Sequence, residues 1–526
     1  MNLIKDPWLP VIRNNGDEEK IAISQILDSY NTNPVIDIIA PRPDFRNALF
    51  QLLIGIIQVA LLPENEDEWL KKWDTPCSAA QCNDKILAYE DCFRIDSDGP
   101  AFMQDFSLKE FKAEMLTNLF VELPSNEYFN KKTPRCVNPY WAAVTLYALQ
   151  TFGPAGGRGH KTGLRGGGPV TTILWPEQVK DRQSTLWQKL WVNILSNDYV
   201  PGLTGNHRKK NKADIFPWMK PTKNSRVKGN GLYAEECHPF HMFFGMPRRI
   251  RLVFEIKDGT CDISGEQGST FVTSYKTYHS GNDYSGEWIH PLNPYRKDPQ
   301  NPKNPPNPLK AQPGGITYRY WHRLALLHVS ENEIPAPVIA CAQTSAQRRK
   351  ALNASSVKIW AAGYDFNNMK ARCWYETMVP FYQLEQEDAK KIADIVTRFL
   401  SFTTEGASSV SYRLNEVWFR SSKEKGGDFS HITRSFWENS EGDFYRILMR
   451  LVKNISDDRT VSECALDWKN TIISNTLELF DTWALSDQTN PYKMKKTIIA
   501  RNGLKRALYG SSKKYLNDML ETSQGG

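Results

Sequence analysis

The chain has 526 residues, with 66 basic and 59 acidic side chains and a formal net charge of +7. Hydrophobic residues make up 40% and charged residues 24%, which excludes a disordered polymer and allows two or three globular domains. A charge excess this mild over such a length does not by itself identify a nucleic-acid partner.

Sixteen tryptophans and twenty-one tyrosines serve either a large core or surfaces that stack on bases and partners. The nine cysteines include no CxxC pair, and the opening MNLIKDPWLP lacks the apolar stretch of a secretory leader. Both features lead us to expect free thiols and a cytoplasmic location.

Residues 1 to about 40 alternate short apolar runs with turns and predict a few strands. Pro43–Leu62 predicts a helix, with proline in the first turn and Asp44 at the positive end of the dipole. Its apolar run, Ala48–Leu62, is too short to span a bilayer and carries Gln51 and Gln58, so it predicts a buried helix and no membrane association. Arg42 and Arg46 are expected at the solvated end. Short helices are expected around Glu66–Trp73 and Leu108–Met115, and a longer one over Pro139–Gln150.

Gly153–Gly168 reads GPAGGRGHKTGLRGGG, with eight glycines in sixteen residues. Neither a helix nor a central strand tolerates that composition, so this is a loop feeding the β-branched strand PVTTILW. RKKNK at 208–212 predicts a basic loop and RRIRLVFEI at 248–256 a strand. Eight prolines over 291–313 predict an extended connector. From about residue 380 helical periodicity takes over. Stripes at Ile392, Val396, Phe399 and Leu400, at Phe444, Leu448 and Leu451, and at Leu477, Phe480 and Ala484 predict a bundle. A fourth helix around Ile498, Ala507 and Leu508 is expected to break near Gly503. The expected fold is α+β: a mixed α/β domain over 1–380, then a four-helix bundle over 381–526.

Catalytic signatures are missing from the sequence. GPAGGRGHKTG resembles a phosphate loop, but Gly156 stands five residues before Lys161 where the motif needs six. No Gly-x-Ser-x-Gly or HExxH occurs, and the paired acids Asp96 and Asp98 fall in a turn. Cys237, His238, His241 and Cys261 carry zinc-compatible ligands at a spacing that matches no standard site, so no metal and no other cofactor is expected.

Two features point to nucleic acid. In the glycine loop, Arg158, His160, Lys161 and Arg165 are interleaved with residues that let backbone approach phosphate, although a tight packed loop has the same composition. From Lys493 to Lys514 there are eight basic residues, Lys505 and Arg506 among them, and no acidic one; this predicts a phosphate-facing helix.

Several motifs, in order, resemble the CasA family, the large subunit of the type I-E CRISPR Cascade complex. They are Trp8, Pro10 and Val11 at the start, Phe102-Met103-Gln104, the stretch from Gly159 through GLRGGGPVTT to Thr172, and Ala362-Gly363-Tyr364 with Asn367-Asn368. Phe436-Trp437 and Phe444-Tyr445 follow. The resemblance implies a non-catalytic subunit of an RNA-guided antiviral complex. Such a subunit reads a short protospacer-adjacent motif (PAM) in duplex DNA from the minor groove and wedges the strands apart to start an R-loop.

It implies as partners the other Cascade subunits, the guide RNA, double-stranded target DNA, and a helicase–nuclease recruited in trans or a nuclease carried by another subunit. The family's glycine loop falls on Gly156, Gly157, Arg158 and Gly159, with Arg158 in place of a glycine. Its lysine finger falls on Lys276 with a small gap, or on His279 without one. Its wedge falls on Asn367, Asn368, Met369 and Lys370, with Met369 where the family carries glutamine. Lys161, Arg165, Lys505 and Arg506 are the expected DNA-backbone contacts, and Phe120, at the start of a loop running to Pro134, the RNA or subunit contact. A purely architectural nucleic-acid-binding subunit and a stand-alone nucleic-acid enzyme are the alternatives.

Overall fold

A computed structural model describes residues 1–108, 110–123, 129, 133–157, 159–327, 330–353, 355–419, 429–485 and 491–524, without the side chains of 491–493 and 520–524. In chain order its helices are α1 (Pro43–Ala60), α2 (Glu66–Asp74), α3 (Ala79–Leu87), α4 (Pro139–Phe152), α5 (Leu186–Trp191), α6 (Lys212–Ile215), α7 (Trp321–Ala325), α8 (Pro337–Thr344), α9 (Ala346–Leu352), α10 (Gln386–Trp418), α11 (Ser430–Lys453), α12 (Asp458–Ala484) and α13 (Pro491–Gln524). Its strands are β1 (Leu9–Arg13), β2 (Glu18–Ile21), β3 (Val35–Ile38), β4 (Ala113–Met115), β5 (Thr171–Val179), β6 (Arg182–Gln183), β7 (Arg249–Thr260), β8 (Gln267–Tyr278), β9 (Tyr295–Arg296), β10 (Asn307–Pro308), β11 (Glu333–Ile334), β12 (Ser355–Asn367) and β13 (Lys370–Pro380). The mixed α/β fold with a helical C-terminal region matches the expectation.

The chain divides into two units, Met1–Ala311 with Asn332–Met378, and Gln312–Glu331 with Val379–Gly526. In the first, the strands form small sheets in the orders β2-β1-β3, β10-β9-β11, β13-β12-β5-β6 and β4-β8-β7. Helix α1 starts with proline, carries Asp44 in its first turn and is buried along almost its whole length. Its two glutamines are satisfied internally: Gln58 bonds both backbone groups of Leu195, and Gln51 donates to Asn47.

Arg42 departs from its expected solvated place. It is 3% exposed and forks onto Asp44 and Glu122 at 2.7–3.0 Å, ringed by Phe45, Phe120 and Phe129. Burial opposes its charge, but Asp44 foremost, with Tyr364 and Glu122, raises its pKa well above the usual value. Two carboxylates and three rings replace water for one guanidinium, which is how a cation at a helix start becomes core.

Residues 113–115 are strand rather than helix, because they pair with the edge of β8, Ala113 opposite Lys276 and Met115 opposite Ser274. Helix propensity yields here to an open ladder edge. The proline-rich connector is packed onto the fold: Leu309 and Leu292 accept backbone bonds from Val170 and Thr172.

In the second unit α10–α13 bury the stripes read from the sequence apart from Leu477, which is part-exposed while Leu479 is buried, and Phe399 stacks on Trp468 at 5.6 Å. Gln312–Glu331 belongs to this unit, outside the expected boundary. Tyr318 stacks on Phe444 at 4.4 Å and shares a hydrogen bond with Ser440, and the Trp321 indole donates to the Pro380 carbonyl. Core-filling aromatics, not chain order, set that assignment.

Helix α13 runs unbroken through Gly503, whose missing Cβ makes room for the Arg413 guanidinium. Its buried face is Ala500, Leu504, Leu508 and Tyr515; Ile498 and Ala507, expected inside, are exposed.

Candidate nucleic-acid interface

The glycine loop leaves the C-terminus of α4 and returns at β5. Near its start Gly156 donates to the His160 carbonyl, closing a small turn. A Cβ placed on Gly157 would meet nothing within 4 Å, so this backbone faces open space. Gly159 has φ +81°, a conformation open to glycine. Its carbonyl accepts from Ser280 just beyond β8. Arg158 lies outside the described residues.

The loop's far end is clamped to β12. Gly168 has φ +64°, and a Cβ there would sit 2.2 Å from the Tyr364 carbonyl and 2.8 Å from the Phe366 ring. Two residues past Phe366 the chain turns into β13 through Asn368 and Met369, with φ 47° and 65°. Two consecutive left-handed residues make the tight hairpin turn that ordinarily takes Asn-Gly. Asparagine tolerates the conformation, whereas methionine does not do so readily. Asn367, Asn368, Met369 and Lys370 are all exposed, Met369 by 57%. The base is braced by the buried Asp365, which accepts from Arg372 at 2.7 Å. A large apolar side chain is thus held in solvent on a strained tip, an arrangement that packing alone does not call for.

Both candidates for the finger lie at the C-terminal end of β8 and are part-exposed. Lys276 sits inside β8, opposite Ala113 on one side and Arg251 on the other. His279 lies against the loop, its Cβ 3.6 Å from where a Gly159 Cβ would be. Burial, then the charges of Arg226 and Arg249, lower its pKa, which favours a neutral ring near neutral pH. Lys161 is part-exposed and ion-paired with Asp283 at 2.6 Å.

Two expected contacts are corrected. Arg165 is 5% exposed and donates to Gln51 and to Thr171; burial pushes its pKa down to about 10. It anchors the loop from beneath and does not reach its surface. Phe120 is 2% exposed, stacked with Phe45 beside Arg42, and is core in this chain. Most of the loop beyond it, residues 124–128 and 130–132, lies outside the described residues.

Lys505 and Arg506 are exposed on α13, with no acidic partner among the described residues. Elsewhere in the basic segment Arg501 is held by Asp481, and Lys496 donates to the Phe419 carbonyl.

The sequence reading missed a segment that borders the loop. Residues 222–232 run beside 280–285: Leu232 donates to the Asp283 carbonyl at 2.8 Å, and Ser285 to that of Leu232 at 3.0 Å. Only the cluster Lys223, Arg226 and Lys228 among small polar residues signalled it in the sequence.

The zinc-compatible residues do not converge; no group of three or more potential ligands occurs among the described residues. His241 is buried and shares a hydrogen bond with the Tyr284 hydroxyl, and burial pushes its pKa down to about 3. The His238 Nδ1 accepts from the Phe240 backbone, and the Cys261 sulfur accepts from Asn138 and Ser264. No described helix is long and apolar enough to cross a membrane.

Residues 2–479 match the family model of CRISPR-associated protein Cse1. Solved structures share the fold across nearly the whole chain. Cse1 from Acidimicrobium ferrooxidans is 17% identical with a TM-score of 0.68, covering 98% of this chain and 99% of that one. CasA (Cse1) from Thermus thermophilus is 16% identical with a TM-score of 0.71, covering 97% and 99%. A chain of a CRISPR RNA-guided surveillance complex is 16% identical with a TM-score of 0.66, covering 96% and 99%. The chain belongs to the CRISPR-associated Cse1 (CasA) family, the large subunits of type I-E Cascade.

Proposed function

We propose that this chain reads the PAM in duplex DNA from the minor groove and pries the strands apart, without covalent chemistry of its own. The observation that carries this reading is one physical unit. The open backbone at Gly157 and the strained Met369 tip are joined through the Gly168–Tyr364 contact. Backbone at Gly156, Gly157 and Gly159 approaches the groove without side-chain obstruction, and Arg158 between them adds a basic side chain to that contact. Lys276 in β8, or His279 beside the loop, supplies the finger that reads base edges. Met369 inserts between base steps, as apolar wedges do, with Asn367, Asn368 and Lys370 contacting its rim. Lys161 lies beside the reader, where a DNA phosphate would compete with Asp283 for its ammonium, while Lys505 and Arg506 hold DNA backbone from α13.

The chain acts in the assembled complex, with the guide RNA and the remaining Cascade subunits. The opened DNA is handed to a helicase–nuclease recruited in trans or to a nuclease carried by another subunit. The test is duplex binding by the assembled complex carrying Gly157→Asp or Met369→Ala, with and without the PAM. Both variants are expected to lose PAM discrimination. Unchanged discrimination in both would leave only an architectural role.

A further inference from the structure

We infer that the turn at residues 224–230 is a phosphate-binding arm that grips the same duplex beside the reader, with Arg226 and Lys228 as its contacts. The inference rests on the duplex-binding reading above and adds a contact that reading does not contain.

The turn is built to hold its shape. The Asn224 side chain accepts from the Arg226 amide at 3.1 Å. Its carbonyl accepts from the Val227 amide at 3.3 Å and from the Asn230 side chain at 2.9 Å. The Asn230 amide closes the far side onto the Val227 carbonyl at 3.1 Å. A turn held by its own asparagine and backbone hydrogen bonds presents side chains at small entropic cost, although the buried Ser225 hydroxyl has no partner among the described residues.

Its position follows from one residue. Ser280 donates its amide to the Gly159 carbonyl at 3.1 Å and accepts from the Ser225 amide on its own carbonyl at 3.3 Å. The two backbone groups of a single residue therefore join the glycine loop to the arm. Lys223 adds a second tether, its amide donating to the Asn282 side chain.

The charge on the arm is uncompensated. Arg226 and Lys228 are exposed, and neither has a carboxylate partner among the described residues. Lys161 and Lys223, at the neighbouring positions, are instead neutralised by Asp283 and Glu236. The Arg226 guanidinium lies over the Tyr278 ring, 5.5 Å from its centroid, and its charge is felt at His279. Cations kept free of acids, on a rigid turn next to an open backbone, fit the polyanionic strand that would lie across that backbone. A duplex seated on Gly157 supplies such a strand. We commit to DNA phosphate as the ligand.

The experiment uses the assembled complex with Arg226→Glu/Lys228→Glu, and in parallel Met369→Ala and Gly157→Asp. Duplex affinity is measured over a range of salt, with and without the PAM, alongside guide-RNA retention. The arm predicts weaker binding to both duplexes by the same factor, and a flatter dependence of log Kd on log salt by about 0.9 for each phosphate that the variant no longer neutralises. The exchange Arg226→Lys/Lys228→Arg should restore most of the slope. An unchanged slope would overturn the arm, as would failure to retain guide RNA with duplex binding intact, which would assign the turn to RNA. If Met369→Ala and Gly157→Asp both keep PAM discrimination while the arm variant still flattens the slope, the reader fails and the arm stands.

Discussion

The Cα of Gly168 lies so close to the Tyr364 carbonyl that a single added carbon would sit 2.2 Å from that oxygen. This contact couples the glycine loop to the strand that carries the wedge, and it separates two kinds of glycine in one loop. Gly168→Ala should destabilise the fold by about 2 kcal/mol or more, through the collision and the left-handed backbone together. Gly157→Asp should leave the melting temperature within about 1 °C of wild type, since its side chain enters open space, yet weaken duplex binding sharply. Thermal unfolding of the two variants, with a duplex titration of the second, checks the pair.

Met369 is expected to show a trade of stability against function. A left-handed L residue costs roughly 1–2 kcal/mol, against about 0.5–1 kcal/mol of extra chain entropy lost by glycine. Met369→Gly should therefore be as stable as wild type or up to about 1.5 kcal/mol more so, while strand opening declines. Denaturant unfolding and an opening assay read the two halves; a destabilised variant would show that the tip is not strained.

Arg42 should be among the least tolerant positions in the first unit. Removing one member of a buried ion network typically costs about 3–5 kcal/mol, because the partners are left charged and dry. Arg42→Ala leaves Asp44 and Glu122 in that state, and Arg42→Lys cannot restore the two-sided fork. Both should lower the unfolding midpoint, alanine more than lysine. The same network roots Phe120, so its packing against Phe45 should loosen in both.

Two half-buried thiols should react at different rates. The neighbouring Cys82 thiol, with help from Lys72, lowers the Cys77 pKa. Burial raises that of Cys136. Since the thiolate is the nucleophile, iodoacetamide near neutral pH should label Cys77 well ahead of Cys136, and its rate should fall away as pH drops. Cys82→Ala should slow Cys77. Mass-spectrometric labelling kinetics decide it; equal rates would count against the thiol pair.

Where local pattern carried the signal, the sequence was a good guide. Pro43 and Asp44 mark the start of α1, the glycine run marks the loop, and the apolar stripes mark the bundle. What escaped it was set by partners distant in the chain. Arg42 reads as a solvated cap until Glu122 is placed beside it. Arg165 reads as a phosphate contact until Gln51 claims it below the loop. Residues 113–115 read as helix until β8 offers an edge.

The site was legible in the same measure. Asn367, Asn368, Met369 and Gly157 lie exposed, whereas Lys276 and His279 both stay part-exposed near the end of β8, so the motif alignment with its gap leaves both as finger candidates. The basic turn at 224–230 left only Arg226 and Lys228, with Lys223 just before them, as a trace.

The most direct test is whether Met369 enters the duplex. A fluorescent adenine analogue, placed at the first base pairs beside the PAM, reports unstacking when the assembled complex binds under conditions where the guide cannot pair. Wild type is expected to raise the signal on PAM-bearing duplex alone, and Met369→Gly to bind that duplex without raising it. A full signal from Met369→Gly would contradict the wedge, and with it the proposal that this hairpin opens DNA.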